Sequence, residues 1–219
     1  MAGFNDPTIS IENWSALAQE APNDGIISLF EKSGNSFPLT LNAKMKEAER
    51  LHIYFGLNSS GEIQFYVIPA GLDKTTNKSI LTCGEIVAID TTQQTVNSNS
   101  GSPLVGWINN WCNETLRNGW LTGLNQAVQV FVIHTDDFVV NDLHKCYLAL
   151  KLEGDKKYKV DLVIQNTVTD EFLNVEQPST DADATGAYFA DMARPVPPFG
   201  QEDSTVEINF GVFQSLGIK

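Results

Sequence analysis

The chain has 219 residues, and with 42% of them hydrophobic it carries enough apolar material to bury a substantial core. Its 27 acidic side chains outnumber its 14 lysines and arginines, and the formal net charge is -13. A charge of this sign repels phosphate backbones and anionic lipid surfaces, so the composition argues against nucleic acid and membranes as partners.

Cysteine usage and the first residues both predict a cytoplasmic protein. Cys83, Cys112 and Cys146 are an odd set without the C-x-x-C spacing of many zinc and redox sites, which favours free thiols in a reducing compartment. The opening MAGFNDPTISIENW has neither the basic start nor the apolar run of a secretory signal. No stretch approaches the roughly 18 apolar residues of a membrane-spanning helix.

Helices are predicted to begin the chain. Apolar side chains recur at helical spacing over residues 10–21 and 24–32, and a third helix is expected within 37–49. Residues 51–68 then alternate with period two on both sides of a turn-rich Asn-Ser-Ser-Gly sequence. This pattern is typical of a β-hairpin.

The middle of the chain mixes strand, loop and helix patterns. Residues 78–90 form a β-type run, and the polar stretch 91–102 is expected to be an exposed loop. The strongest helical pattern spans 103–118. A strand is predicted over 127–134, followed by a short helix over 136–143.

The clearest periodicity lies in residues 145–165, which predict a second β-hairpin. The register of each hairpin follows from placing both apolar sets on one face, because a slip of one residue would move every apolar side chain to the other face. Leu152 must then lie opposite Tyr158, and in the first hairpin Leu57 must lie opposite Ile63.

The C-terminal region is acidic and rich in loop-forming residues. The sequence Arg-Pro-Val-Pro-Pro-Phe-Gly at 194–200 is expected to be extended, because each proline fixes its own φ angle and disfavours helix in the residue before it. A final strand is predicted over 205–213.

Together these patterns predict a single α+β domain over residues 1–219. We expect a mostly antiparallel sheet built from the two hairpins, 51–68 and 145–165, with further strands. Helices near 10–21 and 103–118 are expected to cover its apolar face.

A shift of 95 positions, which takes Leu57 onto Leu152, superimposes the two hairpins. It predicts an internal repeat of a helix followed by a hairpin, with units at 37–68 and 132–165. Residue identity between the units is nearly nil, so the pattern leaves open whether the repeat is a true duplication.

Two short stretches carry a resemblance. The sequences LHIYFGLNSSGEIQFYVIPAGLD at 51–73 and ARPVPPF at 193–199 together resemble a group of uncharacterised bacterial proteins of Bacteroidota type. Members of that group pair an IYFG strand with a late Cys-Pro-Pro element, and Val196 stands in the region of the cysteine here. The resemblance implies a bacterial protein and no particular activity.

The densest polar cluster is expected at the exit of the strand at 127–134. Histidine and carboxylate ligands there could hold a divalent metal ion that activates water for hydrolysis. The structural alternative is that aspartates in a first helical turn complement the helix dipole. It is favoured, because no recognised ligand spacing such as H-x-x-x-H is present. The cluster comprises His134, Asp136, Asp137, Asp142 and His144.

Two surfaces are candidates for binding. The deduced register sets Lys151 opposite Lys159, and like charges across a ladder require an offsetting contact. An acidic partner could supply it, although acidic residues of the chain itself are the favoured explanation. The second surface is the extended C-terminal segment with Arg194, Pro197, Pro198 and Phe199.

The sequence supports two hypotheses about function. The favoured one is a non-catalytic binding or assembly domain that meets another protein or a second copy of itself, because common hydrolase, P-loop and dinucleotide signatures are absent. The alternative is a metal-assisted hydrolase centred on His134, Asp136 and His144. Trp107, Trp111 and Trp120 could line a carbohydrate or aromatic-ligand pocket, but helical spacing of the first two favours core packing.

Overall fold

The structure, a computed structural model, describes residues 7–20, 24–74, 85–96, 102–136, 138–153, 157–173, 193–196 and 210–216. Its helices are α1 (Pro7–Gln19), α2 (Asp24–Lys32), α3 (Ala43–Lys46), α4 (Pro103–Cys112), α5 (Glu114–Thr122) and α6 (Gly211–Leu216), with a 3-10 turn at Ala70–Leu72. Its strands are β1 (Ser36–Thr40), β2 (Arg50–Leu57), β3 (Ile63–Pro69), β4 (Glu85–Ala88), β5 (Val130–His134), β6 (Leu143–Glu153), β7 (Lys157–Asn166), β8 (Glu171–Phe172) and β9 (Ala193–Val196). The predicted α+β class is confirmed.

The strands form two antiparallel sheets, where the sequence predicted one. Sheet A has the order β1-β6-β7-β8, and sheet B has the order β4-β3-β2-β5-β9. The two predicted hairpins therefore lie in different sheets. Both deduced registers are confirmed, since Leu57 pairs with Ile63 and Leu152 pairs with Tyr158.

The apolar faces of the two sheets pack against each other and form the main core. Phe37 of sheet A stacks on Phe65 of sheet B with ring centroids 4.0 Å apart, and Leu148 and Leu150 are fully buried in the same cluster. Alternation with period two accounts for this arrangement, because every second side chain of each hairpin points to the shared interior. The helices expected to cover this face do contribute to it, through Trp14 of α1 and Trp111 of α4, and the second sheet covers it as well.

The long helices pack both on the outer face of sheet A and against the main core. Leu104 and Ile108 of α4 pack on Tyr147 and the rest of an apolar cluster on the outer face of sheet A. Trp14 of α1 stacks on Phe55 with centroids 4.9 Å apart. The predicted helix at 103–118 is divided into α4 and α5 because Asn113 is extended, and its side chain accepts a hydrogen bond from the backbone N–H of Leu116 as an N-cap.

Two other predicted helices are wrong in whole or in part. Within 37–49, the first residues form strand β1, and the helix is reduced to α3 with Asn42 as its N-cap. The predicted helix at 136–143 is a turn in its described residues, with Asn141 in the left-handed region at a φ of 67°. The Thr135 hydroxyl, which could have capped a helix, donates instead to the carbonyl of Ala48.

The segment 89–96, which we call the connector, contains the first half of the predicted exposed loop. It has no regular secondary structure, and hydrogen bonds hold it against the chain around β1. The backbone N–H of Asp90 donates to the carbonyl of Ser36 at 2.7 Å, and that of Gly34 donates to the carbonyl of Asp90 at 2.5 Å. The Gln93 side-chain amide donates to the carbonyl of Ser33 at 2.9 Å. The connector therefore joins the edge strand β4 of sheet B to the start of β1 in sheet A.

Other expectations fall partly outside the described residues. Of the strand predicted at 78–90, β4 is the described part. The extended segment at 194–200 begins as β9, which pairs with β5 through residue 196, and the rest of it lies outside the described residues. The final strand predicted at 205–213 is wrong in its described residues, because residue 210 is irregular and residues 211–213 begin α6.

The two halves of the chain repeat one order of elements and exchange one strand. The order α1, α2, β1 and hairpin β2–β3 recurs as α4, α5, β5 and hairpin β6–β7, with a short helix α3 added in the first half. Strand β1 pairs with β6 of the second hairpin, whereas β5 pairs with β2 of the first. Each sheet thus combines the lead strand of one half with the hairpin of the other. A true duplication stays a prediction.

Candidate functional site

The residues of the predicted metal cluster differ widely in their environment. His134, at the end of β5, and Asp136 are exposed, whereas His144 on β6 has an exposed fraction of 0%. Asp142 is half-buried, and its carboxylate accepts a hydrogen bond from the Asn166 side chain at 2.8 Å. Asp137 lies outside the described residues.

A lysine side chain binds the backbone at the end of β5, beside this cluster. The Nζ of Lys46 donates to the carbonyl oxygens of Thr135 and Asp136, each at 2.5 Å. Across the described ranges, no three His, Cys, Asp or Glu side chains are grouped so that they could hold a metal ion. The divalent metal site stays a prediction for which these residues provide no geometry.

His144 is buried, and its ring nitrogens make only weak backbone contacts, with Asp142 and Leu39, and no hydrogen bond of normal geometry. Its ring lies 4.8 Å from that of Phe138. Burial lowers the pKa of the imidazole, and the nearby Lys46 charge acts in the same direction, while Asp142 opposes both. The His144 side chain is therefore neutral and part of the core, although the sequence predicted it as a candidate metal ligand.

The paired lysines of the second hairpin have an internal contact that offsets their charge. Lys151 lies opposite Lys159 as deduced, and the Lys151 Nζ lies 5.2 Å from the ring centroid of Trp107. A cation over an aromatic face is attracted by about 0.5–1 kcal/mol at exposed sites. Helix α4, which carries Trp107, thus supports the internal explanation for Lys151, and compensation by acidic residues stays a prediction.

The C-terminal binding surface is described only at its start. Arg194 lies on β9 opposite Val132, at the edge of sheet B. Pro197, Pro198 and Phe199 lie outside the described residues. The structure therefore places the beginning of this segment in the sheet, and the surface itself stays a prediction.

A buried polar cluster, absent from the sequence analysis, lies on the outer face of sheet B. Asp73 has an exposed fraction of 1%, and its Oδ2 lies 2.6 Å from the Nδ1 of His52. The Tyr54 hydroxyl donates to the same oxygen. Burial raises the pKa of Tyr54 well above its usual value, and the Asp73 charge and hydrogen bond add to the effect. Tyr54 is therefore a neutral hydrogen-bond donor to the carboxylate.

The C-terminal residues 210–216, which we call the tail, cover this cluster. The backbone N–H of Val212 donates to the Asp73 Oδ1 at 2.8 Å. The Phe210 ring lies 4.9 Å from the His52 ring. Alternation along β2 could have placed His52 and Tyr54 on one face, but no sequence pattern links them to partners on a turn and on the tail.

An open groove of about 620 Å³ lies between α5 and β7. The Trp120 indole N–H donates to the backbone carbonyl of Tyr158 at 2.9 Å, which fixes one aromatic side chain against the strand that bears the other. Leu152, opposite Tyr158 in the ladder, has an exposed fraction of 49% and extends the apolar surface. The groove is lined by Asn113, Thr115, Leu116, Gly119, Trp120 and Tyr158.

Trp120 has a different environment from Trp107 and Trp111, the other two candidate pocket residues. Trp111 is fully buried in the main core, which confirms core packing for that residue. Trp107 is half-buried beside Lys151. Trp120 is half-buried and lines the groove. An aromatic-ligand site is therefore retained for one tryptophan of the three.

Comparison with known proteins adds no assignment. No protein-family model matches the chain, no curated protein matches it, and no solved structure matches it. The resemblance to a Bacteroidota-type group stays a prediction. Over the part of the chain that the structure describes, none of the helices combines the length and apolarity needed to cross a membrane.

Proposed function

We propose that the protein is a non-catalytic binding domain whose ligand surface is the groove between α5 and β7. The observation that carries the proposal is the pair Trp120 and Tyr158, which present half-exposed rings in an open concave surface. Binding pockets are commonly concave and mainly apolar, with volumes of about 300–1,000 Å³ and a few polar groups that orient the ligand.

The chemistry of the lining supports recognition without catalysis. None of the six lining side chains is charged at neutral pH, and the polar members are an amide and two hydroxyls. Two buried histidines of the described residues lie away from the groove and are enclosed, because the exposed fraction of His52 is 3% and that of His144 is 0%.

The occupant we propose is an uncharged apolar segment of a second protein. The exposed Leu152 lengthens the apolar surface beyond the groove, as expected for a peptide with more than one apolar side chain. Exposed Glu114 and Lys157, next in sequence to lining residues, have opposite charges and favour no net charge in the ligand. The charge of -13 on each copy opposes self-association at low salt.

The proposal includes a reducing, cytoplasmic location. Cys112 and Cys146 are free thiols, half-buried and buried respectively. Burial raises the pKa of both thiols and keeps them protonated. Cys83 lies outside the described residues.

Gly119 provides a test that blocks the groove without disturbing the fold. A Cβ at Gly119 would meet open space, so Gly119→Leu should fill the groove and also raise helix stability by up to about 1 kcal/mol. Gly106 on α4 is equally exposed and also faces open space, which makes Gly106→Leu a matched control.

The probe is a set of uncharged, N-acetylated heptapeptides that carry one or two Leu, Phe or Trp residues. We expect a subset to shift the Trp120 indole N–H resonance, and we expect Gly119→Leu to weaken their binding at least ten-fold while Gly106→Leu binds normally. Equal binding by both variants, or no shift with any peptide, would contradict the proposal. A molar mass that rises with concentration in light scattering, and that Gly119→Leu abolishes, would assign the groove to a second copy instead.

A further inference from the structure

We propose that the outer face of sheet B around Asp73 is a peptide-binding site that the chain's own tail occupies. A separate peptide with the sequence of the tail can then replace it. This site is distinct from the groove, and the proposal does not depend on the function assigned to the groove.

The two oxygens of the Asp73 carboxylate bind different parts of the chain, one the tail and the other sheet B. The Asp73 Oδ1 accepts the Val212 N–H of the tail, whereas the Oδ2 accepts bonds from His52 and Tyr54 of sheet B. When the tail leaves, the buried carboxylate keeps both donors of the sheet. Release therefore leaves no unpaired buried charge, which would otherwise be the main obstacle to exchange.

Close packing against the backbone of Lys74 requires a glycine at position 211 of the tail. Gly211 lies so close to the chain that a Cβ would be 2.4 Å from the Cα of Lys74 and 2.5 Å from its backbone nitrogen. Backbone atoms at this distance cannot move aside as a flexible side chain would. The site therefore accepts glycine and rejects any larger residue at this position of the ligand.

Aromatic side chains on either side of that glycine contact the rings of the site. The Phe213 ring meets the Tyr54 ring edge-on at 4.9 Å, and Phe210 lies 4.9 Å from the His52 ring. Val212 and Phe213 are buried. They belong to an apolar cluster with Ile11, Tyr54, Tyr66, Ile68 and Val130.

The tail depends on the site for its conformation. Its helix α6 has six residues, and isolated helices shorter than about 12–15 residues are marginal in water. The Val212 N–H bond is the tail's polar tie to the other elements, as far as the described ranges extend. A short segment that orders on a preformed surface through a glycine, two aromatic rings and one backbone bond is recognised as peptides are.

The test frees the site in the full-length chain and supplies the tail as a separate molecule. Gly211→Ala should displace the tail by steric conflict with Lys74, and Phe213→Ala should weaken its docking by a second route. The probe is a fluorescein-labelled synthetic peptide of residues 207–219, followed by anisotropy. A peptide that carries the Gly211→Ala change is the matched control.

We expect one peptide to bind per chain in both variants, at least ten-fold more tightly than to the unaltered protein, whose own tail competes at high effective concentration. The control peptide should not bind, and Asp73→Asn added to Gly211→Ala should weaken binding. Folded variants that ignore the peptide would overturn the proposal. Loss of cooperative folding in both variants would also overturn it, because the tail would then be an integral part of the core.

Discussion

His144 is enclosed by the core, and its ring nitrogens make only weak backbone contacts. An imidazole in this position is neutral when folded, because burial lowers its pKa below the value of about 6.5 expected in the unfolded chain. As the pH falls, the unfolded state gains a proton at this residue before the folded state does. Protonation therefore favours unfolding, and the stability contributed by the neutral ring is lost below about pH 6.5.

We predict that His144→Leu removes part of the acid sensitivity of the fold. The variant should raise the free energy of unfolding at pH 7.5 by about 1–3 kcal/mol, because an apolar side chain replaces a buried imidazole whose nitrogens are weakly hydrogen-bonded. Its urea midpoint should also fall less than that of the unaltered protein between pH 7.5 and 5.5. The same change at exposed His134 should leave both quantities nearly unchanged. A pH dependence identical in the His144→Leu variant and the unaltered protein would exclude this account.

For single residues, the sequence predicted the place of a side chain in a strand better than it predicted which other residues contact that side chain. The alternation in β6 is real, and it places His144 on a strand where a helix end had been expected. Its role is decided by two separated elements, since the turn before β6 contacts it through Phe138 and strand β1 pairs with it through Leu39. The Asp73 cluster was missed for the same reason, because the tail donor is 139 residues away in sequence.

Among the elements, the connector shows how a polar segment can be structural. Its backbone contacts Gly34 so closely that a Cβ there would lie 2.3 Å from the carbonyl oxygen of Asp90 and 2.4 Å from that of Thr92. Ser36 also donates its hydroxyl to the Asp90 carboxylate at 2.5 Å. This part of the chain holds β1 of sheet A to the segment that follows β4 of sheet B.

We predict that Gly34→Ala destabilises the protein by about 1–3 kcal/mol, because the added methyl group must push backbone atoms apart. Gly106→Ala is the control, since it adds the same atom where space is open and should be neutral or stabilising by up to about 1 kcal/mol. Urea unfolding of the two variants measures both effects. Equal stability of Gly34→Ala and the unaltered protein would show that the connector is not held as described.

The elements that the sequence predicted well are those with local, regular signals. Both hairpins and their registers follow from period-two alternation, and α2 follows from helical spacing. The helix predicted at 136–143 failed because polar residues at a strand exit suit a turn as well as a helix start. The connector was assigned to a loop because its ordering depends on bonds to Ser33 and Ser36, which composition cannot reveal.

In the molecule as a whole, the exchange of lead strands makes the two halves interdependent. Sheet A lacks β1 without the first half, and sheet B lacks β5 without the second. Each half alone would leave its hairpin with an unpaired edge. Strand β1 would have no ladder, and β5 would keep only its ladder with the short strand β9. Neither half can therefore complete a core.

We predict that fragments 1–98 and 99–219 are unfolded alone and form the native structure when mixed in equal amounts. Circular dichroism and thermal unfolding of each fragment and of the mixture measure this. The intact chain cleaved at the same position by an inserted protease site is the control and should keep its cooperative transition. Cooperative unfolding of a single isolated fragment would refute the interdependence.

The pairing of β1 with β6 also means that β1 must wait for its partner strand while the chain is being synthesised. Roughly 100 residues separate the end of β1 from the start of β6, and at roughly 5–20 residues per second the ribosome needs on the order of 5–20 s to make them. During that interval the apolar side chains Phe37 and Leu39 have no sheet to join. Nascent chains of this protein should therefore recruit chaperones that hold exposed apolar strands until β6 emerges.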